Sequence, residues 1–304
     1  MNVFNPPRRA VVSSLKMTHM SSLVARTVGD FLMPTLQLDA TEGLKEIVKK
    51  LNNFNPHTLV GYASMIHILA EEQLSGNLNI NPSIVFSSSE VLTRDMRSKI
   101  EKAFGKTLFN EYASTEAGSL AGECQYHTGL HLLEDQVYVE VVDKNNQLVP
   151  NGAFGEKLLI TVLFNKTQPL IRYELSDSIK LSSTSCPCGR PYVLVEDIQG
   201  RSEDFLYFDS LGERITVHPN KIQEIMEFVP TTSWQVILKG NKLDVLLAGL
   251  NDSYSKDKIQ SSYEKLFSKE NISGIEVDVR NVDSISKSGS GKAPLIKNLN
   301  LVKI

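Results

Sequence analysis

Residues 84–118 read IVFSSSEVLTRDMRSKIEKAFGKTLFNEYASTEAG. Ile84-Val85-Phe86 is a short apolar run that ends in SSSE, as a strand does on entering a polar loop. Residues 93–104, TRDMRSKIEKAF, form a helical pattern closed by Gly105. Thr107 to Tyr112 then reads as strand again. Strand, helix and strand at such short spacing predict α/β topology with a partly parallel sheet.

The same alternation extends upstream. Ala10, Val11 and Val12 start a segment over residues 8–35 that reads as a strand followed by a helix. In TEGLKEIVKKLNN, residues 41–53, Leu44, Ile47, Val48 and Leu51 recur at spacings of three and four, and Thr41 is placed to cap the start. Asn55-Pro56 breaks that helix. Leu59 to Tyr62 is a short buried strand or turn, and residues 63–74 form a second amphipathic helix.

Downstream the texture changes twice. Val137–Val142 and Leu158–Leu163 are β-rich, a third strand lies near Ile171-Arg172-Tyr173, and the three predict a small antiparallel or barrel-like section. From residue 201 a hairpin over 205–214 and a helix over 219–228 come first. Strands over 233–239 and 242–248, a helix over 254–267 and a strand over 275–279 follow, together a small α+β module. The predicted division is residues 1–199, with an α/β part over 1–135 and a β-rich part over 136–199, followed by a second domain over 200–304.

The composition sets limits. The chain has 304 residues, 32 Lys and Arg against 35 Asp and Glu, and a formal net charge of -3. Nothing in that balance calls for nucleic acid or an anionic membrane as partner. With 41% hydrophobic and 22% charged residues it reads as a folded protein with a real core. Its longest apolar runs fall far short of the roughly 20 residues that span a bilayer. The opening MNVFNPPRRAVVSSLKMTHM lacks the apolar stretch and cleavage site of a secretory leader, so the expected compartment is the cytoplasm.

Four segments offer chemistry. Tyr112-Ala113-Ser114-Thr115-Glu116 sets an aromatic face, a hydroxyl and a carboxylate close together after a strand. A ring can stack on a base, a hydroxyl can bond a phosphate oxygen, and a carboxylate can hold Mg²⁺. Alone, the string equally fits a polar strand-to-helix turn with Glu116 solvated. In Ile171-Arg172-Tyr173-Glu174-Leu175-Ser176-Asp177 an Asp ends an apolar strand, where it can accept from ribose hydroxyls or simply cap a turn. Gly200-Arg201-Ser202-Glu203-Asp204 stands where the texture changes and suits a hinge or a plain turn. Gly289-Ser290-Gly291-Lys292 is not a Walker A loop, because Ala293 replaces the Ser/Thr and no Gly stands five residues before Gly291.

In this order the four segments resemble the adenylate-forming enzymes that activate carboxylic acids with ATP. The chain looks most like the branch of phenylacetate–CoA ligase and coenzyme F390 synthetase. LNNFNPHTLVGYASMIHILAEEQLSGNLNI at 51–80, GLHLLED at 129–135 and CPCGRP at 186–191 fit that branch, and the resemblance runs from about residue 40 to 300. It implies a large α/β (α+β) domain with a β-rich subdomain and a small mobile C-terminal domain. By the same resemblance the large domain is truncated at its N-terminus, since the family's Ser/Thr/Gly-rich phosphate loop has no counterpart here.

The resemblance also implies roles. Tyr112 would stack near adenine, with Ser89 and Glu90 in SSSE standing at the position of the family's adenine loop. Thr115 would contact phosphate, Glu116 would bind Mg²⁺, and Asp177 supported by Arg201 would hold the ribose. Glu203 would be the hinge, and Lys292 the cation that meets the charge developing as carboxylate attacks the α-phosphate. The implied small molecules are a carboxylic acid (aryl or arylacetic), ATP or AMP with Mg²⁺, and coenzyme A. A homodimer or an N-terminal companion chain would be the protein partner. The alternatives are a non-catalytic remnant, half of a split enzyme, or nucleotidyl transfer to a cofactor.

All three cysteines lie in two short strings, C-x2-H at Cys124 and His127 and C-x-C at Cys186 and Cys188. Three thiolates and an imidazole are a Cys₃His set for structural Zn²⁺. Three free thiols are the other reading, and His131 is a rival ligand that the family string otherwise assigns, with Asp135, to the nucleotide or the fold. His19 and His57 are isolated and read as surface or satisfied core residues, and Trp234 as a core residue of a strand.

Overall fold

The computed structural model describes residues 6–15, 33–201, 206–210, 213–217, 219–251, 254–287 and 293–300. They form two compact units that divide between Ile198 and Gln199. The first unit begins with five strands: β1 (Arg9–Ser13), β2 (Thr35–Asp39), β3 (Thr58–Tyr62), β4 (Ile84–Ser88) and β5 (Leu108–Ser114). They lie side by side in the order β2-β1-β3-β4-β5, every pair parallel. Parallel neighbours need a crossover, and helices supply it: α1 (Leu44–Phe54), α2 (Ala63–Leu74) and α3 (Arg94–Phe104) precede β3, β4 and β5.

The helices obey their sequences with two differences. In α1 the predicted Ile47, Val48 and Leu51 are buried, but the helix starts after Gly43 with no side-chain cap. Thr41 does not cap it, because its hydroxyl is 2.6 Å from Asp39 Oδ1 at the end of β2. Helix α2 is not an amphipathic surface helix: Ala63, Ser64, Met65, Ile66, His67, Leu69 and Ala70 are all buried, so its first two turns are enclosed nearly all round. In α3, Met96, Ile100 and Phe104 line one face, Thr93 accepts the Met96 N–H at 3.2 Å, and Gly105 closes the helix at φ +79°. The helix expected after β1 falls on residues 16–32, outside the described residues.

Beyond β5 the sheet turns antiparallel. β6 (Gly118–Glu123), β7 (Leu130–Leu132) and β12 (Leu194–Arg201) continue it in antiparallel register, and β11 (Asp177–Leu181) forms the edge of a nine-stranded sheet. A separate antiparallel sheet comprises β8 (Val137–Val142), β9 (Lys157–Val162) and β10 (Tyr173–Leu175), the last lying two residues beyond its predicted start. One hydrophobic cluster joins the two β-rich parts, with Ala117, Leu120, Leu132, Val137, Ile160, Leu175 and Ile179 among its members.

The second unit has a hairpin, β13 (Leu206–Ser210) and β14 (Glu213–Val217), then α4 (Pro219–Met226). β15 (Ser233–Lys239), β16 (Lys242–Ala248), α5 (Lys256–Lys269), β17 (Glu276–Val282) and β18 (Ile296–Asn298) follow. The sheet order is β17-β16-β15-β18, and its core holds Phe208, Val236, Leu238, Val245, Tyr263 and Phe267, with Trp234 packed at the side. Among the described residues no helix is long and apolar enough to cross a membrane.

Candidate functional site

The Tyr112–Glu116 string forms the end of β5 and the turn into β6. It is a strand-to-strand turn rather than strand-to-helix, because β6 returns antiparallel beside β5. The register shifts between Tyr112 and Ala113, a bulge that re-aims the side chains ahead of the turn. Ser114 Oγ accepts the Ala117 N–H at 3.1 Å, Ala117 is buried, and Gly118 takes φ +72°. That leaves Thr115 exposed and Glu116 half-buried on a turn held from within. Tyr112 packs its ring against the hydrophobic cluster that includes Ala117.

Asp177 does not end a strand as expected. It opens β11, separated from the end of β10 by Ser176 alone, and is buried. Leu175 and Ile179 on either side of it belong to the cluster that Tyr112 covers, so the β5–β6 turn and the β10–β11 corner border one core. Arg172, at φ +50°, donates from Nε to Glu140 Oε2 at 3.1 Å and so is fastened to β8.

The SSSE string sits at the end of β4. Ser89 adopts φ +67°, the left-handed conformation that glycine enters without cost. Glu90 Oε2 accepts the Ser64 N–H at 2.9 Å, which ties the loop to the start of α2. Gly200 takes φ +98° near the end of β12, and Arg201 is the last residue of that strand. Glu203 and Lys292 lie outside the described residues.

The cysteines converge. Cys124 follows β6 directly, and Cys186 and Cys188 come from the loop between β11 and β12. Cys124 Sγ is 3.6 Å from Cys186 Sγ, and Cys188 Sγ is 3.4 Å from Nε2 of His131. One ligand atom from each of these four residues lies within 4.8 Å of every other. The histidine of the group is therefore His131, in β7, and not His127. His127 turns at φ +50°, its ring lies 5.1 Å from that of Phe109, and Nδ1 is 3.2 Å from Glu123 Oε2. Sequence proximity favoured His127, whereas the hydrogen bonding of β7 to both β6 and β12 carries His131 between the two cysteine loops.

Burial pushes the Cys124 thiol up. The Thr128 hydroxyl and the Cys188 backbone N–H, both directed at Cys186 Sγ, draw that thiol down to about 6. Of the other histidines, His57 Nδ1 accepts the Arg8 N–H at 3.1 Å, a structural role, and His19 lies outside the described residues.

No family model matches the chain. It is 30% identical over 227 residues to protein CapK of Staphylococcus aureus, covering 71% of this chain and 46% of that protein. It is 25% identical over 201 residues to the phenylacetate-coenzyme A ligase of Thermus thermophilus, covering 63% of this chain and 44% of that one. The aligned region thus amounts to less than half the length of these curated relatives. Among solved structures, 2-hydroxyisobutyryl-CoA ligase in complex with 2-HIB-AMP matches 98% of this chain and 67% of its own, with a TM-score of 0.74 at 18% identity. ATP-bound MatB from Rhodopseudomonas palustris gives a TM-score of 0.62 at 14% identity over 94% of this chain and 58% of its own. A benzoate CoA ligase from Burkholderia xenovorans gives 0.62 at 18% over 95% and 60%. The chain is thus similar in sequence to protein CapK and to a phenylacetate-coenzyme A ligase, and it shares the fold of acid–CoA ligases of solved structure.

Proposed function

We propose that this chain carries the nucleotide-handling residues of an AMP-forming acid–CoA ligase. In the first half-reaction a carboxylate oxygen of the acid attacks the α-phosphorus of ATP, and pyrophosphate leaves with the electrons of the broken P–O bond. In the second, the sulfur of coenzyme A attacks the acyl carbon and AMP leaves. The observation that supports this reading is the placement of two polar motifs, Thr115–Glu116 and Asp177, around one core on a ligase fold. A buried Asp and a fixed turn carrying a hydroxyl and a carboxylate, both bordering that core, suit ribose, phosphate and Mg²⁺ respectively.

In this reading Tyr112 stacks near adenine, and Arg201 supports the ribose contact. Lys292 supplies the positive charge at the reacting phosphate, and Glu203 marks the hinge that separates the two half-reactions. The acid is aryl or arylacetic, following the phenylacetate-coenzyme A ligase similarity, and the compartment is the cytoplasm. The Cys/His cluster is given no part in this chemistry: its four ligand atoms lie within 4.8 Å of one another, as the ligands of a structural site do.

The test is calorimetric titration of the full chain with AMP and with ATP·Mg²⁺, paired with acid-dependent ATP–pyrophosphate exchange over a panel of aryl and arylacetic acids. AMP binding is expected, with Asp177→Asn weakening it by about tenfold or more, the worth of a charged hydrogen bond. A folded sample that binds neither nucleotide overturns the proposal.

A further inference from the structure

Among the described residues, the strongest cluster that the proposed function leaves unused is one of cysteines and a histidine. Cys124, Cys186 and Cys188 are three unpaired cysteines brought together across 62 residues, and His131 closes the group. We infer that these four side chains form a tetrahedral Zn²⁺ site in which His131 Nε2 is the fourth ligand. The inference is independent of the ligase reading, since the function proposed above uses none of the four residues.

The distances support it. A tetrahedron with Zn–S of about 2.3 Å has S···S edges of about 3.8 Å, and with Zn–N of about 2.0 Å its S···N edges are about 3.5 Å. The structure has 3.6 Å between Cys124 and Cys186 sulfurs and 3.4 Å between Cys188 sulfur and His131 Nε2. A disulfide would need sulfurs about 2.05 Å apart. Cys124, Cys186 and His131 are buried, as a structural site requires. Cys186-Pro187-Cys188-Gly189 is itself a tight turn: the Gly189 N–H meets the Cys186 carbonyl at 3.2 Å, and Gly189 takes φ +75°. That turn presents two sulfurs from one side. Thr128 Oγ1, 3.3 Å from Cys186 Sγ, adds a hydroxyl outside the ligand shell, a position for tuning a thiolate.

The site has an evident mechanical consequence. β7 is only three residues long, yet it holds β6 to β12 in the large sheet. A metal that binds the loop after β6, β7 itself and the loop before β12 fastens all three at one point. Metal binding in such a site is folding energy, so this end of the sheet depends on it.

The experiment measures zinc per chain in protein purified without chelator, then follows Co²⁺ uptake by the apoprotein. The expected result is one zinc per chain and a cobalt spectrum with thiolate charge-transfer bands and the intense ligand-field bands of tetrahedral geometry. His131→Gln is expected to weaken Co²⁺ binding at least tenfold, and His127→Gln to leave it unchanged. Zinc-free protein whose three thiols all titrate and which takes up no Co²⁺ overturns the inference. So does a Cys124–Cys186 disulfide in the purified chain, or loss of metal on His127→Gln with retention on His131→Gln. The metal and thiol content of the unmodified chain decides the question even if a variant fails to fold.

Discussion

Glu90 Oε2 stands 2.9 Å from the backbone nitrogen of Ser64, so a carboxylate from the loop after β4 closes the first turn of α2. The first N–H groups of a helix have no partner within it, and a carboxylate there also meets the positive end of the helix dipole. Glu90 is thus a structural acceptor, whatever else its loop contacts. Glu90→Ala is expected to lower stability by about 1 kcal/mol in urea unfolding, and Glu90→Gln by less. A loss of nucleotide affinity in Glu90→Ala without any loss of stability would contradict this assignment.

His67 predicts a pH dependence. It is buried in α2, with Nε2 3.7 Å from Glu71 Oε1. Burial first, and the nearby Lys99 second, depress its pKa from 6.5 to about 4, against a smaller opposing effect of Asp95. A histidine held neutral in the fold contributes stability above its unfolded pKa, and the contribution falls as pH drops from 6.5 towards 4. The fall amounts to at most about 3 kcal/mol. Burial raises Glu71, whose contribution therefore declines as pH rises, the opposite sense. Comparing the wild type with His67→Gln between pH 7 and 4 cancels Glu71, and the variant is expected to lose the steeper part of the acid slope.

Glu123 is a buried carboxylate with three claims on it. Its Oε1 meets Arg97 at 2.5 Å, while Oε2 takes the Asn110 N–H at 2.8 Å and faces His127 at 3.2 Å. Removing Arg97 leaves the charge without its guanidinium, so Arg97→Ala is expected to cost about 2 kcal/mol. Arg97→Ala/Glu123→Gln is expected to recover part of that, because the neutral amide no longer needs the cation. Equal stability of the single and double variants would show that the pair is not coupled.

Gly129 lies just before β7 at φ +149°. A Cβ there would run into the carbonyl oxygen of Val195 in β12 and press on the Leu194 side chain. Gly129→Ala is therefore expected to destabilise the chain by at least about 2 kcal/mol, measured as a drop in thermal midpoint, because a carbonyl in a strand cannot move aside cheaply. The thermal midpoint of a Gly76→Ala control, at φ +83° in open space, should fall less.

Local physics made much of the fold legible in the chain. β15 and β16 occupy the predicted residues 233–239 and 242–248, because alternation and a two-residue Gly240-Asn241 turn leave no other register. α3 follows its Met96, Ile100 and Phe104 spacing and its Thr93 cap. The misreadings have physical causes too. Thr41 had a nearer partner in Asp39, and α2 looked amphipathic because burial of Ser64 and His67 cannot be seen without the elements packed over them.

The sequence by itself determined the alternation of strands and helices, the order of the polar motifs and the pairing of cysteines into two short strings. Only the tertiary structure decided how distant segments meet. It set the turn from β5 to β6 as an antiparallel return, moved Asp177 to the opening of a strand, and chose His131 over His127. Spacing along a chain constrains neighbours within a turn or two. Which imidazole reaches a sulfur 57 residues away depends on strand order and register, and these come from packing the whole sheet.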